Sequence, residues 1–537
     1  MVRKFIHKYK FRNIIIFISF ILSSLLTTGS SIMLTFSLDA LVNLDLRYFV
    51  IWNLVSFIMW VLLFILNYFQ SAFLEETTQK IIADIRLDII NRIANSSYNN
   101  FRKQNEGTYV SWLNNDMKEI ETNGINQYYS FWNNLILTVI STLALFSYHY
   151  SLVLMTFTLM VILMITPKLF NKKMNKATAD ISEENEHFSS ELQDTVSGYE
   201  EYYNYNIFNR MKNKISGISK RLTGQKVQYE KTMASVQGTV GSVNIFSQVL
   251  ISIHTGVLAY YGIVTIGSTS STGNISSNIF NSVSQMSNNL FVMNSTDIYF
   301  EKYNSFEENN DSIEENNKDT PENIFEDNLK LKDISFSIND KPILNDVDLN
   351  IYKGGKYALI GESGSGKSTL LNLISGKIDN YDGDIILDGN KIENNEVKNM
   401  RNNVIYISQN PYLFNDSVAN NISLGRTDDM EEIKSVMRLL DINEYALPND
   451  EIQEHGKNLS GGQKQRISFA RALLNDNENK ILLLDESTTN LDKPTALKLE
   501  NIILDNKNIT GIMVTHHLYD ENKNKFDKII NLSEKNN

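Results

Sequence analysis

The sequence predicts a multidomain membrane protein in which an all-α unit of six spanning helices precedes an α/β unit. Three observations lead there. The first half carries long uncharged apolar runs at residues 13–37, 49–69, 131–148, 151–169 and 243–266, with Lys168 near the end of the fourth as the one exception. A polar, acidic stretch at 301–327 interrupts the chain, and after it short β-type runs alternate with helical ones. At 537 residues the chain is too long for one core. The expected units are 1–300, a linker at 301–327, and 328–537.

Each apolar run is about 18 to 25 residues long and at 1.5 Å per residue crosses roughly 30 Å of hydrocarbon. A sixth, at 274–294, is diluted by Ser, Asn and Gln (Asn274, Ser276, Ser277, Asn278, Asn281, Ser282, Gln285) and completes an even number of crossings. Arg3, Lys4, Lys8, Lys10 and Arg12 precede the first run. Lys80, Arg86, Arg92, Arg102 and Lys103 follow the second, and Lys172, Lys173 and Lys176 follow the fourth. The connectors after runs one, three and five hold only Arg47. This asymmetry predicts a multi-pass protein of the cell membrane with both termini and the α/β unit in the cytoplasm. A signal peptide would have a shorter apolar run and no further spans behind it. The connectors at 70–130 and 170–242 carry helical patterns such as Ile81, Ile82, Ile85, Ile89, Ile90 and Ile93, so the helices are expected to continue into the cytosol.

Composition narrows the chemistry. Without cysteine there is no disulfide scaffold, thiolate nucleophile or cysteine-held metal site. A net charge of −12 argues against a nucleic-acid partner, and the ten acids and two bases of 301–327 mark that segment as a solvated linker.

The strongest local signal is Gly361, Glu362, Ser363, Gly364, Ser365, Gly366, Lys367, Ser368 and Thr369, between an apolar strand pattern at 357–360 and a helical run. Such a Walker A loop wraps phosphate oxygens with backbone N–H groups; Lys367 would reach the β/γ-phosphates and Ser368 would hold Mg²⁺. Farther on, Ile481, Leu482, Leu483 and Leu484 end in adjacent carboxylates. Asp485 suits the Mg²⁺ shell and Glu486 the polarisation of attacking water.

The run Leu459, Ser460, Gly461, Gly462 and Gln463, followed by a helical stretch, resembles the signature motif of ATP-binding cassette (ABC) transporters. The resemblance extends through most of the chain and implies ATP and Mg²⁺ as cofactors. It also implies a partner, a second copy or a related half-transporter, whose signature would close over the γ-phosphate so that Ser460 and Gly462 act in trans. Gln409 looks like the glutamine that senses Mg²⁺ and the membrane domain. Glu454 looks like a contact to that domain, although Gln453 stands where glycine is usual. Asp492 looks like the residue linking the two ATP sites, and His516 like the switch histidine on the γ-phosphate. Ile338 falls where the family places an aromatic on adenine, which gives up stacking worth about 1–3 kcal/mol by analogy with other base platforms; Phe336 is the possible substitute.

The membrane half is similar to the exporter type with six helices. Residues 101–107 and 113–116 match its first intracellular loop. Residues 191–209 match the second, where Tyr205 and Phe208 belong to an aromatic knob suited to a groove of a nucleotide-binding domain. The resemblance implies an ATP hydrolase coupled to transport, exporting a small amphipathic, bacteriocin-like peptide or a hydrophobic drug. His254, placed midway in the fifth span, is a functional candidate or a hydrogen-bonded core histidine. The sixth span is expected to line the central cavity or to join helices. Some peptide exporters carry an N-terminal cysteine protease. Entry into the membrane near residue 13 and the lack of cysteine lead to the expectation that this chain is not one of them. A lipid flippase or importer of the same fold, and an ATP-switched regulatory or immunity protein without transport, remain the alternatives.

Overall fold

The computed structural model of the protein describes residues 2–294, 296, 325–339, 341–392, 397–474, 480–489, 491–515 and 518–533. The chain forms two compact units, Met1–Ala94 with Glu106–Glu308, and Asn95–Asn105 with Asn309–Asn537.

In the first unit, α1 (Lys10–Val42), α2 (Leu46–Asn95), α3 (Glu106–Phe146), α4 (Tyr150–Ser197) and α5 (Phe208–Tyr260) are long and apolar enough to cross a bilayer. The sixth, α6 (Ser268–Asn294), has the length, but its Ser and Asn content keeps it out of that apolar class. The 50 residues of α2 and 53 of α5 reach about 75 and 80 Å, well beyond the roughly 30 Å of hydrocarbon. Two regions depart from regular helix. The start of α3 contains π-helical turns at Trp112–Asp116 and Ile120–Ile125. A tight turn at Thr166–Phe170 interrupts α4, where Pro167 offers no N–H.

Hydroxyl and amide groups join the helices. The Thr35 hydroxyl of α1 donates to Ser271 Oγ of α6 at 2.5 Å, and Asp39 Oδ1 accepts the Gly267 N–H at 2.8 Å just before α6 begins. On α6 itself Ile275, Ile279, Phe280 and Val283 are buried, while Asn274, Asn281, Gln285 and Asn288 are exposed along the opposite face. A chain of amides crosses from α5: Gln248 Nε2 donates to Asn244 Oδ1 (2.7 Å), and Asn244 Nδ2 donates to Asn281 Oδ1 (2.8 Å). The polar residues of α6 therefore join helices and also present an exposed face.

The placement of His254 needs correction. Helix α5 ends at Tyr260, with Gly262 at φ +70° just beyond, rather than running to residue 266. His254 thus lies within two turns of the helix end, not midway. Its Nε2 is 2.8 Å from Oγ of Ser151, the second residue of α4, and that oxygen is 2.7 Å from Nδ1 of His149, the N-cap of α4.

The second unit has two sheets. β1 (Asn328–Ile338), β2 (Lys341–Tyr352), β4 (Asp382–Leu387) and β5 (Asn390–Ile392) form an antiparallel sheet of order β2-β1-β4-β5. β3 (Lys356–Ile360), β6 (Val404–Ile407), β7 (Ile481–Asp485), β8 (Thr510–Val514) and β9 (Lys528–Asn531) form a parallel sheet of order β6-β7-β8-β3-β9. The continuous apolar runs of β7 and β8 follow from burial on both faces.

Two boundaries differ from the composition reading. Residues 95–105, read as part of the membrane unit, cluster with the second unit. Phe325, read as linker, is fully buried in the core of the second unit with Leu329, Tyr357 and Leu371, and its N–H donates to Asn403 Oδ1 at 3.0 Å. The acidic composition around it hid one anchoring aromatic. The rest of the linker, 301–324, lies outside the described residues.

Phe325→Ala is expected to lower stability by about 3–5 kcal/mol, read as a drop in the thermal midpoint of the detergent-solubilised protein. Glu326→Ala, at an exposed neighbour, is expected to stay within about 0.5 kcal/mol of the parent.

Candidate functional site

The parallel register brings the carboxyl ends of β6, β7, β8 and β3 to one edge: Ile407 pairs with Leu484, Asp485 with Val514, and Leu359 with Val514. Ligands of open α/β sheets bind at that edge. The loop 361–366 leaves β3 there and enters α7 (Lys367–Ile374).

Glycine is required at two of its positions. Gly366 has φ +89°, and a Cβ there would meet Leu344 Cδ2 at 2.8 Å and the Ile343 carbonyl at 2.9 Å. Gly361 has φ +151°, and its Cβ would meet Ser365 Oγ at 2.8 Å. A larger residue at either position would be both crowded and strained. Lys367 is 5% exposed, and its ammonium donates to the carbonyls of Gly361 and Glu362, both at 2.8 Å. Ser365 Oγ, inside the same loop, is buried with no hydrogen-bond partner among the described residues. A buried orphan hydroxyl costs free energy, and here it fits a cradle shaped for phosphate oxygens.

Asp485 is held on both oxygens: Ser368 Oγ donates to Oδ1 at 3.0 Å and Tyr406 Oη to Oδ2 at 2.7 Å. A hydroxyl and a carboxylate at one point form the hard-oxygen donor set of Mg²⁺, which characteristically takes one or two carboxylates and completes its shell with phosphates and water. The set fits that ion. Glu486 follows at φ +47°, its N–H donating to the Val514 carbonyl at 3.2 Å. Gln409 Nε2 donates to Glu486 Oε2 at 2.9 Å. Lys367, Ser368, Asp485, Glu486 and Gln409 are thus brought together.

The signature residues form a separate construction. Ser460 is the N-cap of α8 (Gly461–Leu473): its Oγ accepts the Gln463 N–H at 3.3 Å, and Gln463 Oε1 accepts the Ser460 N–H at 2.8 Å. This reciprocal capping box satisfies two donors that helix geometry leaves open. Among the described residues no hydrogen bond joins Ser460, Gly461, Gly462 or Gln463 to the loop 361–369. Gln465 Nε2, one turn into α8, donates to the Gln409 carbonyl at 3.3 Å.

Asp492 caps α9 (Lys493–Leu504), accepting the Thr495 N–H at 3.3 Å, and its hydrogen bonds to Thr495 hold its carboxyl below the usual carboxylate range. Glu454 is exposed and paired with Lys457 at 2.8 Å, which lowers its carboxyl in the same way. Beside it, Tyr412, exposed by 55%, stacks edge-on against His455 (5.1 Å) and Phe414 (5.2 Å). In the first unit Tyr205 is 71% exposed, and Phe208 packs on Tyr199 and Tyr203 at 5.7 and 6.4 Å. Ile338 is exposed at the end of β1, whereas Phe336 is partly buried and packs against the core. A register shift between Phe336 and Ser337 turns the strand at that point. His516 lies outside the described residues; Thr515 before it is buried.

Three contacts escaped the sequence reading. Tyr406 on Asp485 is one; only the strand pairing of β6 with β7 reveals it. The Ser533 hydroxyl accepts the Glu362 N–H at 2.9 Å across a long sequence separation. Glu500 is buried and accepts from Asn522 Nδ2 (2.9 Å) and Thr488 Oγ1 (3.3 Å), supporting the turn between Glu486 and Asp492.

The fold and site together define a phosphate-loop nucleotide-binding unit in one chain with a helical membrane unit. The family model for the ABC transporter transmembrane region matches residues 13–283, and that for the ABC transporter itself matches residues 344–489. The chain belongs to the ABC transporter family, with both parts in one polypeptide. It is 25% identical over 434 residues, 79% of this chain and 74% of the other, to "Putative multidrug export ATP-binding/permease protein YgaD" of Bacillus subtilis (strain 168). It is 39% identical over 206 residues, 37% of this chain, to "Lactococcin-G-processing and transport ATP-binding protein LagD" of Lactococcus lactis subsp. lactis, and that match spans 29% of the relative. It is 38% identical over 201 residues, 36% of this chain, to the "ATP-dependent lipid A-core flippase" of Salmonella paratyphi A (strain ATCC 9150 / SARB42), spanning 34% of that protein. The fold is that of a bacterial Atm1-family ABC exporter solved with ATP bound, at a TM-score of 0.80 and 19% identity, covering 96% of this chain and 92% of the other.

Gly366→Ala is expected to weaken binding of a fluorescent ATP analogue at least about tenfold, or ~1.4 kcal/mol, because both φ and space exclude the methyl group. Burial raises the Glu500 carboxyl above the usual carboxylate range, against the opposing hydrogen bonds of Asn522 and Thr488. The folded chain then holds that proton more tightly than the unfolded one, so stability is lost as pH rises from the unfolded carboxylate value through the raised one. Glu500→Gln is expected to raise the thermal midpoint at pH 7.5 by ~2–4 °C, the shift of about 1 kcal/mol in a unit of this size, and to change it little at pH 4.

Proposed function

We propose that the chain is one half of a dimeric exporter that couples hydrolysis of two MgATP to outward movement of its substrate. The observation that carries this reading is the cluster of Lys367, Ser368, Asp485, Glu486 and Gln409 at one sheet edge, in a chain that, among the described residues, also bears five helices long and apolar enough to cross a bilayer and a more polar sixth of 27 residues. Bound MgATP would supply the phosphoanhydride bond whose cleavage drives the cycle.

The chain's own residues then divide the work. Residues 361–369 would bind the phosphates through backbone N–H groups and the Lys367 ammonium, which now donates to two carbonyls of the loop. Ser368, Asp485 and Gln409 would hold the metal. Glu486, positioned by Gln409, would accept the proton of the attacking water at a carboxylate oxygen, and His516 is assigned to the γ-phosphate by the family resemblance alone. Ile338 would pack against the base. Among the described residues the capped start of α8 has no hydrogen bond to its own phosphate loop, which supports a role for Ser460, Gly461, Gly462 and Gln463 on the loop of a second copy or of a related half-transporter. Asp492 would link the two sites, and Glu454, Tyr205 and Phe208 would carry motion between nucleotide-binding and membrane parts. Both termini and the nucleotide-binding unit face the cytoplasm in this reading.

For the cargo, the exposed face of α6 is lined by neutral Asn and Gln, and α6 contains no Lys, Arg, Asp or Glu. That chemistry favours a small amphipathic peptide or a hydrophobic compound over a strongly anionic lipid. The lactococcin transporter among the relatives supports a peptide, and the lipid A-core flippase supports the lipid alternative.

Glu486→Gln is expected to abolish steady-state ATPase while ATP binding persists; continued turnover would remove Glu486 as the base. A heterodimer of Ser460→Arg with Lys367→Ala should regain one working site if the sites are shared, and no recovery would count against that arrangement. ATP-driven uptake of a labelled peptide into inside-out vesicles tests direction and cargo together, and stimulation by lipid alone would favour the flippase.

A further inference from the structure

Strand β9 pairs with β3 at the edge of the parallel sheet, with Ile360 opposite Asn531, and the Leu532 N–H continues the ladder by donating to the Ile360 carbonyl at 3.1 Å. Leu532 is buried in the core of the unit. The next residue, Ser533, is thereby fixed beside the start of the phosphate loop. Its N–H donates to Asn531 Oδ1 at 3.1 Å, and its hydroxyl oxygen accepts the Glu362 N–H at 2.9 Å. The two segments approach closely: a Cβ on Gly361 would lie 3.0 Å from the same Oγ.

The Gly361 carbonyl and the Glu362 N–H are the two ends of one planar trans peptide, so they point in opposite directions. Lys367 donates to the carbonyl end, and Ser533 accepts from the N–H end. The next carbonyl, that of Glu362, accepts from Lys367 and also from the Ser365 N–H at 3.2 Å. Rotating the Gly361–Glu362 peptide by half a turn would carry its carbonyl away from Lys367 and aim the Glu362 N–H toward the side where the ammonium now lies. Gly361, at φ +151°, offers little resistance to that rotation, because glycine has no Cβ to select one backbone region. The Ser533 hydroxyl opposes it by holding the N–H on the side of β9.

We infer that Ser533 is a positioning residue for the phosphate loop: it fixes the Gly361–Glu362 peptide so that the carbonyl faces Lys367, and it takes the Glu362 N–H out of the set that receives phosphate oxygens. The inference rests on the reading of residues 361–369 as the phosphate-binding loop and narrows its donors. With the N–H end anchored to β9, the loop keeps one shape whether the ammonium lies on the carbonyls or on a phosphate. Nucleotide binding then does not have to order it, and preorganisation of this kind raises affinity by cutting the ordering cost. Loss of the hydroxyl frees the peptide to rotate, so the cost falls on nucleotide binding and not on the later cleavage step.

Variants of the full-length protein in lipid nanodiscs test this, with a fluorescent non-hydrolysable ATP analogue as the probe. Ser533→Ala is expected to raise the Kd of the analogue and the KM for ATP by about twofold to tenfold, the range for loss of one hydrogen bond. Its kcat and thermal midpoint are expected to stay close to the parent. Ser533→Thr keeps the hydroxyl and is expected to bring both constants back toward the parental values. Lys367→Ala weakens binding on its own, and in that background Ser533→Ala is expected to add little, since the peptide it orients then has no ammonium to hold.

Unchanged affinity in Ser533→Ala overturns the inference, and so does tighter binding, which a Glu362 N–H released to the phosphates would produce. A loss that Ser533→Thr fails to restore also overturns it, as does one that appears in kcat with KM unchanged or that adds in full to the loss from Lys367→Ala. A side chain acting only on the stability of the strand end would give those results. If Lys367→Ala itself binds the analogue at the parental level, the reading of residues 361–369 as the phosphate loop fails and the inference falls with it. A weakened Lys367→Ala beside an unchanged Ser533→Ala removes the inference alone.

Discussion

The Asp485 carboxylate is the point on which the nucleotide-binding unit depends. Its oxygens are taken by Ser368 at the start of α7 and by Tyr406 on β6, so three elements remote in sequence converge on one group. That convergence requires β6 and β7 to pair with Ile407 opposite Leu484 and β7 and β8 to pair with Asp485 opposite Val514. A slip of one residue in either pairing would turn these side chains to the other face. The apolar residues 481–484, buried on both sides of the sheet, hold the register. The polar end of β7 can therefore be short and strained, as the left-handed Glu486 shows.

The membrane unit solves a different problem. Lipid provides no hydrophobic drive for helix association, so small residues and hydroxyls supply close packing and hydrogen bonds. Helix α1 buries Ser23, Ser24, Thr28, Ser31 and Thr35, and Thr28 and Thr35 reach Ser141 of α3 and Ser271 of α6. The same chemistry on α6 produces two faces: an apolar one against its neighbours and an amide-rich one left exposed within the single chain. The His149–Ser151–His254 contact near the ends of α4 and α5 belongs to this pattern of interhelical hydrogen bonds.

Much of the fold was legible because its signals are local. Twenty uncharged residues define a span whatever surrounds them, and a glycine-spaced loop between a strand and a helix defines a phosphate cradle. Lys367, Ser368, Asp485, Glu486 and Gln409 were each named from short motifs, and the structure gathers all five. Where the sequence misled, the cause was an average or an endpoint. The acidic composition around 301–327 concealed Phe325, whose ring joins a core made by residues far along the chain and whose N–H donates to Asn403. The apolar run at 243–266 passed beyond the true helix end because Gly262 and its neighbours are uncharged too. Phe336 and Ile338 could not be told apart until the bulge in β1 fixed which side chain meets the core.

The sequence by itself determined the class of protein, the order of its units and the residue types of the site. Those depend on periodicity, on charge and on contiguous motifs, which are properties of neighbours along the chain. Only the tertiary structure decided that Tyr406 holds Asp485, that Ser533 meets the phosphate loop, and that Glu500 supports the turn after Glu486. These contacts join residues whose spacing in sequence carries no signal. They exist because strand pairing and core packing bring distant side chains within the few ångströms at which hydrogen bonds act.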